Sequence, residues 1–81
     1  MINKTLHHWI TLRKGDGFNI FDIDWRVDTI DEKGETVDAT YVDGYECITY
    51  RQAEEIFYNL IREHPECSYE NEVKGDKRIR V

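Results

Sequence analysis

Long apolar segments are missing from this chain of 81 residues, whose apolar runs extend over only a few positions. A helix that crosses a membrane needs about 20 predominantly apolar residues, so the sequence predicts none. The N-terminal stretch MINKTLHHWITLRKG also lacks the continuous apolar core and the small-residue cleavage site of a secretory signal peptide. We therefore expect a cytoplasmic protein that does not interact with membranes.

Cysteine is scarce too: Cys47 and Cys67 are the two in the chain, and no CxxC motif is present. In a chain without an export signal, two reduced and partly buried thiols are the first expectation, with a disulfide or a metal site as alternatives. Together with His7, His8 and His64 they supply the ligand types for one zinc ion, but no CxxC or HxxxH pair anchors such a site. We expect no metal ion and no cofactor.

Catalytic motifs are also missing from the sequence. Asp22 and Asp24 share one face of an extended segment and could hold Mg²⁺ next to a phosphate, yet no glycine-rich phosphate loop or calcium-loop spacing accompanies them. A nucleophilic cysteine needs a positioned histidine and electropositive surroundings, whereas both cysteines lie in acidic stretches. The sequence therefore indicates a protein that is not an enzyme and has no catalytic residues.

Basic residues are outnumbered, with 11 Lys and Arg against 17 Asp and Glu, and the formal net charge is −6. This balance argues against direct binding to nucleic acid or to an anionic membrane, because both require clustered Lys and Arg. The negative charge is concentrated in residues 16–46, which contain ten acidic and two basic residues, whereas both ends of the chain are basic. A basic partner surface is the natural expectation.

One amphipathic helix is predicted between Thr49 and Pro65. Thr49 and Gln52 have the spacing of a capping box, and the proline ends the helix at about His64. A single apolar stripe follows the helical period and consists of Ala53, Ile56, Phe57, Leu60 and Ile61. This stripe predicts the face that packs on the rest of the protein.

Strands are predicted where apolar and polar residues alternate, over 5–13, 18–30 and 35–43. The tail predicts one more strand or a closing hairpin around Lys74-Gly75-Asp76, which would pair Val73 with Lys77. Residues 1–81 are near the lower size limit for a self-sufficient core and predict a single domain. Its expected class is α+β, an antiparallel sheet of four to five strands with one amphipathic helix packed on one face. The expected order is three strands, the helix, and then one or two strands.

The segment DEKGE at 31–35 predicts a hairpin turn with Gly34 in the left-handed conformation. Its expected register pairs Asp31 with Glu35 and creates one apolar face and one polar face. The predicted apolar pairs are Thr29–Val37, Val27–Ala39 and Trp25–Tyr41. The predicted polar pairs are Asp28–Asp38 and Arg26–Thr40. We take Trp25 and Tyr41 as core residues.

The segment FDIDWRVD at 21–28 alternates apolar and charged residues, so its carboxylates form a row spaced by roughly 6.5–7 Å on one face of a strand. Asp22, Asp24 and Asp28 form this row, Asp38 extends it, and Asp31, Glu32 and Glu35 follow at the turn. Such a row can bind a basic surface or replace phosphates in a groove. The alternative is a charged sheet face that serves solubility and discourages edge pairing.

Two aromatic side chains are candidate anchors for a partner. Trp9 falls on the strand face opposite Leu6, Ile10 and Leu12, and Tyr58 falls on the polar side of the helix. The alternative for Trp9 is burial by a second layer or by a dimer contact.

The acidic segment FDIDWRVDTIDEKGE, together with the small size and the net charge, resembles the acidic inhibitors of phages and mobile elements, such as anti-CRISPR and other DNA-mimic proteins. The resemblance implies an inhibitor that docks on a basic, nucleic-acid-binding surface of a partner protein. The alternative is an accessory or structural domain that self-associates through a sheet edge or an exposed aromatic face, for example as a homodimer, and whose charge serves solubility. The predicted partner-binding residues are Asp22, Asp24, Asp28, Asp31, Glu32, Glu35, Asp38, Trp9 and Tyr58.

Overall fold

The computed structural model describes residues 4–17 and 20–80 and contains a five-stranded sheet with one helix. The elements are β1 (Thr5–Lys14), β2 (Phe21–Ile30), β3 (Thr36–Cys47), α1 (Tyr50–Glu63), β4 (Ser68–Asn71) and β5 (Asp76–Arg78). The predicted α+β class and the order of the elements are confirmed. The predicted start of the second strand, at positions 18 and 19, lies outside the described residues.

The sheet is mixed, and the prediction of an antiparallel sheet is wrong in one pairing. The strand order is β3-β2-β1-β4-β5, and β4 runs parallel to β1 while the other neighbours are antiparallel. The helix between β3 and β4 carries the chain back along the sheet, so β4 must run in the same direction as β3 and therefore as β1. Strand patterns do not contain this information, because it depends on where the helix packs.

Helix α1 begins and ends where the sequence predicts. The hydroxyl oxygen of Thr49 accepts a hydrogen bond from the amide of Gln52 at 3.2 Å, and the amide of His64 closes the last turn on the carbonyl of Leu60. No helix among the described residues has the length and apolar character that a membrane crossing requires.

The core lies between α1 and one face of the sheet. Its buried apolar residues are Ile10, Leu12, Ile23, Cys47, Ala53, Phe57, Ile61 and Cys67. Trp25 packs against this cluster but is only half-buried. The predicted helix stripe is confirmed for Ala53, Phe57 and Ile61, which are its buried members.

Strand β3 and its hairpin partner β2 extend beyond the helix. The 14 residues of α1 span about 21 Å, whereas the 12 residues of β3 span roughly 40 Å. The longest dimension of the molecule is 47 Å, against 24 and 20 Å for the others. The half of the hairpin that includes the turn at 31–35 is consequently not covered by α1. Leu6 and Val37 are exposed there.

The hairpin turn forms as predicted, but the pairing of β2 with β3 beyond the turn differs from the predicted register. The amide of Asp31 bonds the carbonyl of Glu35 at 2.9 Å, and Gly34 has a φ of 82°. Two β-bulges then shift the pairing, by one residue at each. The observed pairs are Thr29–Asp38, Asp28–Ala39, Val27–Thr40, Arg26–Tyr41 and Trp25–Asp43.

The predicted core position of Tyr41 is therefore wrong, and its side chain is 64 % exposed. A one-residue shift moves a side chain to the other face of the sheet. Tyr41 accordingly lies opposite Arg26 rather than Trp25.

The tail hairpin forms with a different register from the predicted one. Asn71 pairs with Asp76, and Gly75 has a φ of 87° within the turn. The side-chain oxygen of Asn71 accepts hydrogen bonds from the amides of Val73 and Lys74 at 3.1 and 3.0 Å. Because this side chain bends the main chain directly after β4, the predicted pairing of Val73 with Lys77 cannot form.

Candidate functional site: the acidic hairpin and the open face of the sheet

The candidate site has two parts, which we call the acidic hairpin (residues 21–47) and the open face (the side of the sheet away from α1). Strand β2 pairs with β1 without interruption from Phe21 to Ile30, so its alternate side chains keep to one side. Asp22, Asp24 and Asp28 accordingly share the open face. Their neighbours in β1 are Arg13, Thr11 and His7.

Two of these three carboxylates are engaged within the chain. The guanidinium of Arg13 contacts Asp24 at 2.9 Å, and that of Arg26 contacts Asp28 at 3.2 Å. Asp28 is also buried, with 8 % of its surface exposed. Within the described part of the chain, no ion pair engages Asp22. The row predicted from the sequence is thus largely neutralised.

Asp38 does not extend this row, contrary to the prediction. The first bulge places it opposite Thr29, which belongs to the other side of β2, and Ala39 takes the position beside Asp28. The predicted like-charge contact between Asp28 and Asp38 is therefore absent. The shift removes a repulsion that directly opposed carboxylates would create.

At the hairpin turn, Asp31 has a structural role. Its Oδ1 accepts hydrogen bonds from the amides of Lys33 and Glu35, each at 2.9 Å. Glu32 and Glu35, which were also predicted as binding residues, are exposed at the tip. Both carboxylates are therefore accessible to a partner.

Strand β3 adds two acidic residues that the sequence reasoning missed, Asp43 and Glu46. The strand continues to Cys47, four residues beyond its predicted end at 43, and Glu46 pairs with Asp22 across the hairpin. The alternation Tyr45-Glu46-Cys47 was the available signal for this extension. The exposed carboxylates of the acidic hairpin are those of Glu32, Glu35, Asp38, Asp43 and Glu46.

Trp9 lies on the open face, where the sequence placed it, and is half-buried. Its ring is 5.1 Å from that of His7, and the guanidinium of Arg26 lies 5.9 Å from the ring centroid. Arg26 pairs in turn with Tyr41, whose hydroxyl lies over Gly44, so that any side chain at that glycine would collide with it. A row of Trp, Arg and Tyr therefore crosses the middle of the open face.

Tyr58 belongs to an internal network instead of a free helix surface. It is half-buried, its hydroxyl donates to Asp76 at 2.9 Å, and Asn71 donates to the same hydroxyl at 3.4 Å. Burial raises the pKa of Tyr58 to about 12. The prediction that Tyr58 anchors a partner has no support in this arrangement.

The free energy of unfolding should fall at alkaline pH because of Tyr58. The pKa of this group is raised from 10.0 in the unfolded chain to about 12 in the folded one, so its contribution is complete below pH 10 and is lost as the pH rises to 12. We expect Tyr58→Phe to lack this part of the fall in urea unfolding curves. Burial likewise raises the pKa of Cys67 from 9.0 to about 11, and its contribution should persist in the variant. An unchanged alkaline profile for Tyr58→Phe would contradict the prediction.

The cysteine thiols and the hydroxyl of Ser68 are buried within the fold. Cys47 and Cys67 are free thiols, both buried, and burial raises the pKa of each. His7 Nε2 lies 2.6 Å from the Oγ of Ser68, but Ser68 is fully buried and its oxygen also bonds the main chain of Arg80. No group of three or more His, Cys, Asp or Glu side chains in residues 4–17 and 20–80 is arranged to hold a metal ion.

No family model, curated protein or solved structure matches this chain.

Proposed function

We propose that this protein is a small acidic protein-binding module whose acidic hairpin docks on a basic surface of a partner. The observation that carries the proposal is the set of exposed carboxylates on this hairpin, of which those of Glu32, Glu35 and Asp38 project beyond the core. Residues 21–47 contain nine acidic and two basic residues, and the half of this hairpin that includes the turn extends past α1. A charged element that projects from a small domain reaches a partner without rearrangement of the core.

Electrostatics favours this mode of binding. The carboxylates of Glu32, Glu35 and Glu46 are exposed, so their field acts in solvent over about 8 Å at physiological ionic strength. A complementary field speeds association more than it increases final affinity. The open face offers the anchor, because Trp, Tyr and Arg are the residue types that dominate binding energy at interfaces, and Trp9, Arg26 and Tyr41 form its central row.

The more specific proposal is that the partner is a nucleic-acid-binding protein and that docking inhibits it. Basic clefts are the usual footprint of nucleic-acid binding, and carboxylates can take the place of phosphates as acceptors for Arg and Lys. The ion pairs of Asp24 and Asp28 leave this role to Asp22, to the tip and to β3. Binding of the hairpin should therefore compete with nucleic acid only near those carboxylates.

The test is a binding experiment with two variants of equal net charge. The partner is captured from a lysate and identified, and its association rate is then measured at several salt concentrations. The binding variant carries Glu32→Gln, Glu35→Gln and Glu46→Gln. The control variant carries Glu55→Gln, Glu63→Gln and Glu72→Gln, three exposed positions outside the hairpin.

We expect the binding variant to lose about tenfold in affinity, since three partly screened charges contribute roughly 0.5 kcal/mol each. The loss should appear mainly in the association rate and should shrink at high salt. The control should bind almost as well as the natural chain. Equal losses in both variants would show that net charge alone acts, and full affinity in a folded binding variant would exclude the acidic hairpin.

A further inference from the structure

The outer edge of β3 has the features of a strand edge that promotes aggregation. Within the described ranges 4–17 and 20–80, no strand pairs with this edge, which is 12 residues long. Its exposed apolar side chains are those of Val37, Tyr41, Val42 and Tyr45. A long edge with such side chains is a template for pairing with another chain.

Each of the two register shifts leaves one residue of β3 without a partner in β2. Val37 lies between Thr36, which pairs with Ile30, and Asp38, which pairs with Thr29. Val42 occupies the corresponding position between Tyr41 and Asp43. Bulges of this kind bend the strand and increase its twist, so a straight neighbour cannot follow the edge.

The residue after each bulge adds a second obstacle. The Oδ1 of Asp38 accepts a hydrogen bond from the amide of Ala39 at 2.9 Å, and the Oδ1 of Asp43 accepts one from the amide of Gly44 at 2.8 Å. These amides are engaged and cannot donate to an added strand. An incoming strand would also have to desolvate both carboxylates, which is unfavourable without a cationic partner.

The two units have the same sequence pattern, Val-Asp followed by a small residue, as Val37-Asp38-Ala39 and Val42-Asp43-Gly44. The opposite edge of the sheet has other features that disfavour strand addition. Strand β5 is only three residues long and contains Lys77 and Arg78, and a short charged edge strand is a poor template.

We propose that the two Val-Asp bulges close the edge of β3 to strand addition. The chain therefore does not associate through this edge and meets partners there through side chains rather than through a shared main-chain ladder. This inference does not depend on the proposed function, because it concerns the edge of the strand and not its charge towards a partner. It excludes self-association through β3, which the sequence left open.

The test compares the concentration dependence of the mass in sedimentation equilibrium. The first variant, Asp38→Thr with Asp43→Thr, frees both amides and keeps the bulges. The second variant adds deletion of Val37 and Val42, which restores a regular register with β2. The control, Glu32→Thr with Glu35→Thr, removes the same charge at the turn and leaves the edge unchanged.

We expect the natural chain and the control to remain monomeric. The self-association constant of the first variant should rise by about tenfold or more, an increase that corresponds to about 1.4 kcal/mol, and that of the second variant should rise further. Circular dichroism identifies which variants are folded, and the first variant decides the question if the deletions prevent folding. Monomeric folded variants, equal association of the control, or association of the natural chain through β3 would each overturn the proposal.

Discussion

Replacement of Phe57 by alanine should leave most of the protein unfolded. Phe57 is fully buried in the middle of α1 and makes edge contacts with the rings of Tyr58 and Tyr69, at centroid distances of 5.0 and 5.7 Å. Truncation of a buried phenylalanine typically destabilises by about 3–5 kcal/mol. A single core of this size supplies about the same amount. Urea unfolding followed by far-ultraviolet circular dichroism measures the effect.

The matched control for this prediction is Phe57→Leu. It keeps an apolar side chain of similar volume, so the expected loss is about 1 kcal/mol and the cooperative transition should survive. A Phe57→Ala variant with a transition close to that of the natural chain would contradict the packing of α1 described above. The core would then have to be centred elsewhere in the sheet.

Replacement of Asn71 by alanine should have the second largest effect, about 2–3 kcal/mol, because several partners lose their hydrogen bonds at once. Asn71 is fully buried, donates to the hydroxyl of Tyr50 at 3.0 Å, and accepts from the amides of Val73 and Lys74. It therefore fastens α1 to β4 and also shapes the turn to β5. The free energy of unfolding in urea provides the measurement.

Asn59 provides the control for Asn71. It lies exposed on α1, and its side chain contacts only Arg62 among the hydrogen bonds of the described residues. We expect Asn59→Ala to change the stability by no more than about 0.5 kcal/mol. Similar losses in the two variants would mean that the buried network is unimportant. A selective loss in Asn71→Ala would assign the effect to that network.

The helix and the hairpin turn could be predicted because their signals are local. Thr49, the apolar stripe and Pro65 specify where α1 begins, which face it buries and where it ends. Gly34 similarly specifies the turn, since a left-handed position favours glycine. In each case the decisive contacts lie within a few residues of one another along the chain.

The register of β3 could not be predicted, because bulges do not change the composition of a strand. Val37 and Val42 are ordinary strand residues, and uninterrupted alternation was the simplest interpretation. The first shift alone moves Asp38 and Tyr41 to unexpected faces, and the second returns the residues after Val42 to the expected alternation. A strict period-2 pattern therefore predicts faces only as far as the first bulge.

The ion pairs divide into one that the sequence suggests and one that it does not. Arg26 and Asp28 lie two positions apart on the same strand face, so their contact follows from alternation alone. The pair of Arg13 and Asp24 depends on how β1 and β2 align. That alignment depends on contacts between two strands, which the alternation within either strand does not determine.

The position of β1 in the middle of the sheet has a consequence for biosynthesis. Its second neighbour, β4, comes much later in the chain, and the bond between His7 and Ser68 links residues 61 positions apart. A nascent chain can form the β1–β2–β3 meander early. The backbone groups on the other side of β1 lack their hydrogen-bond partners until Asn71, at the end of β4, has left the ribosome. Such non-local closure slows folding, so the pairing of β4 with β1 is expected to be a late step in the folding of this chain.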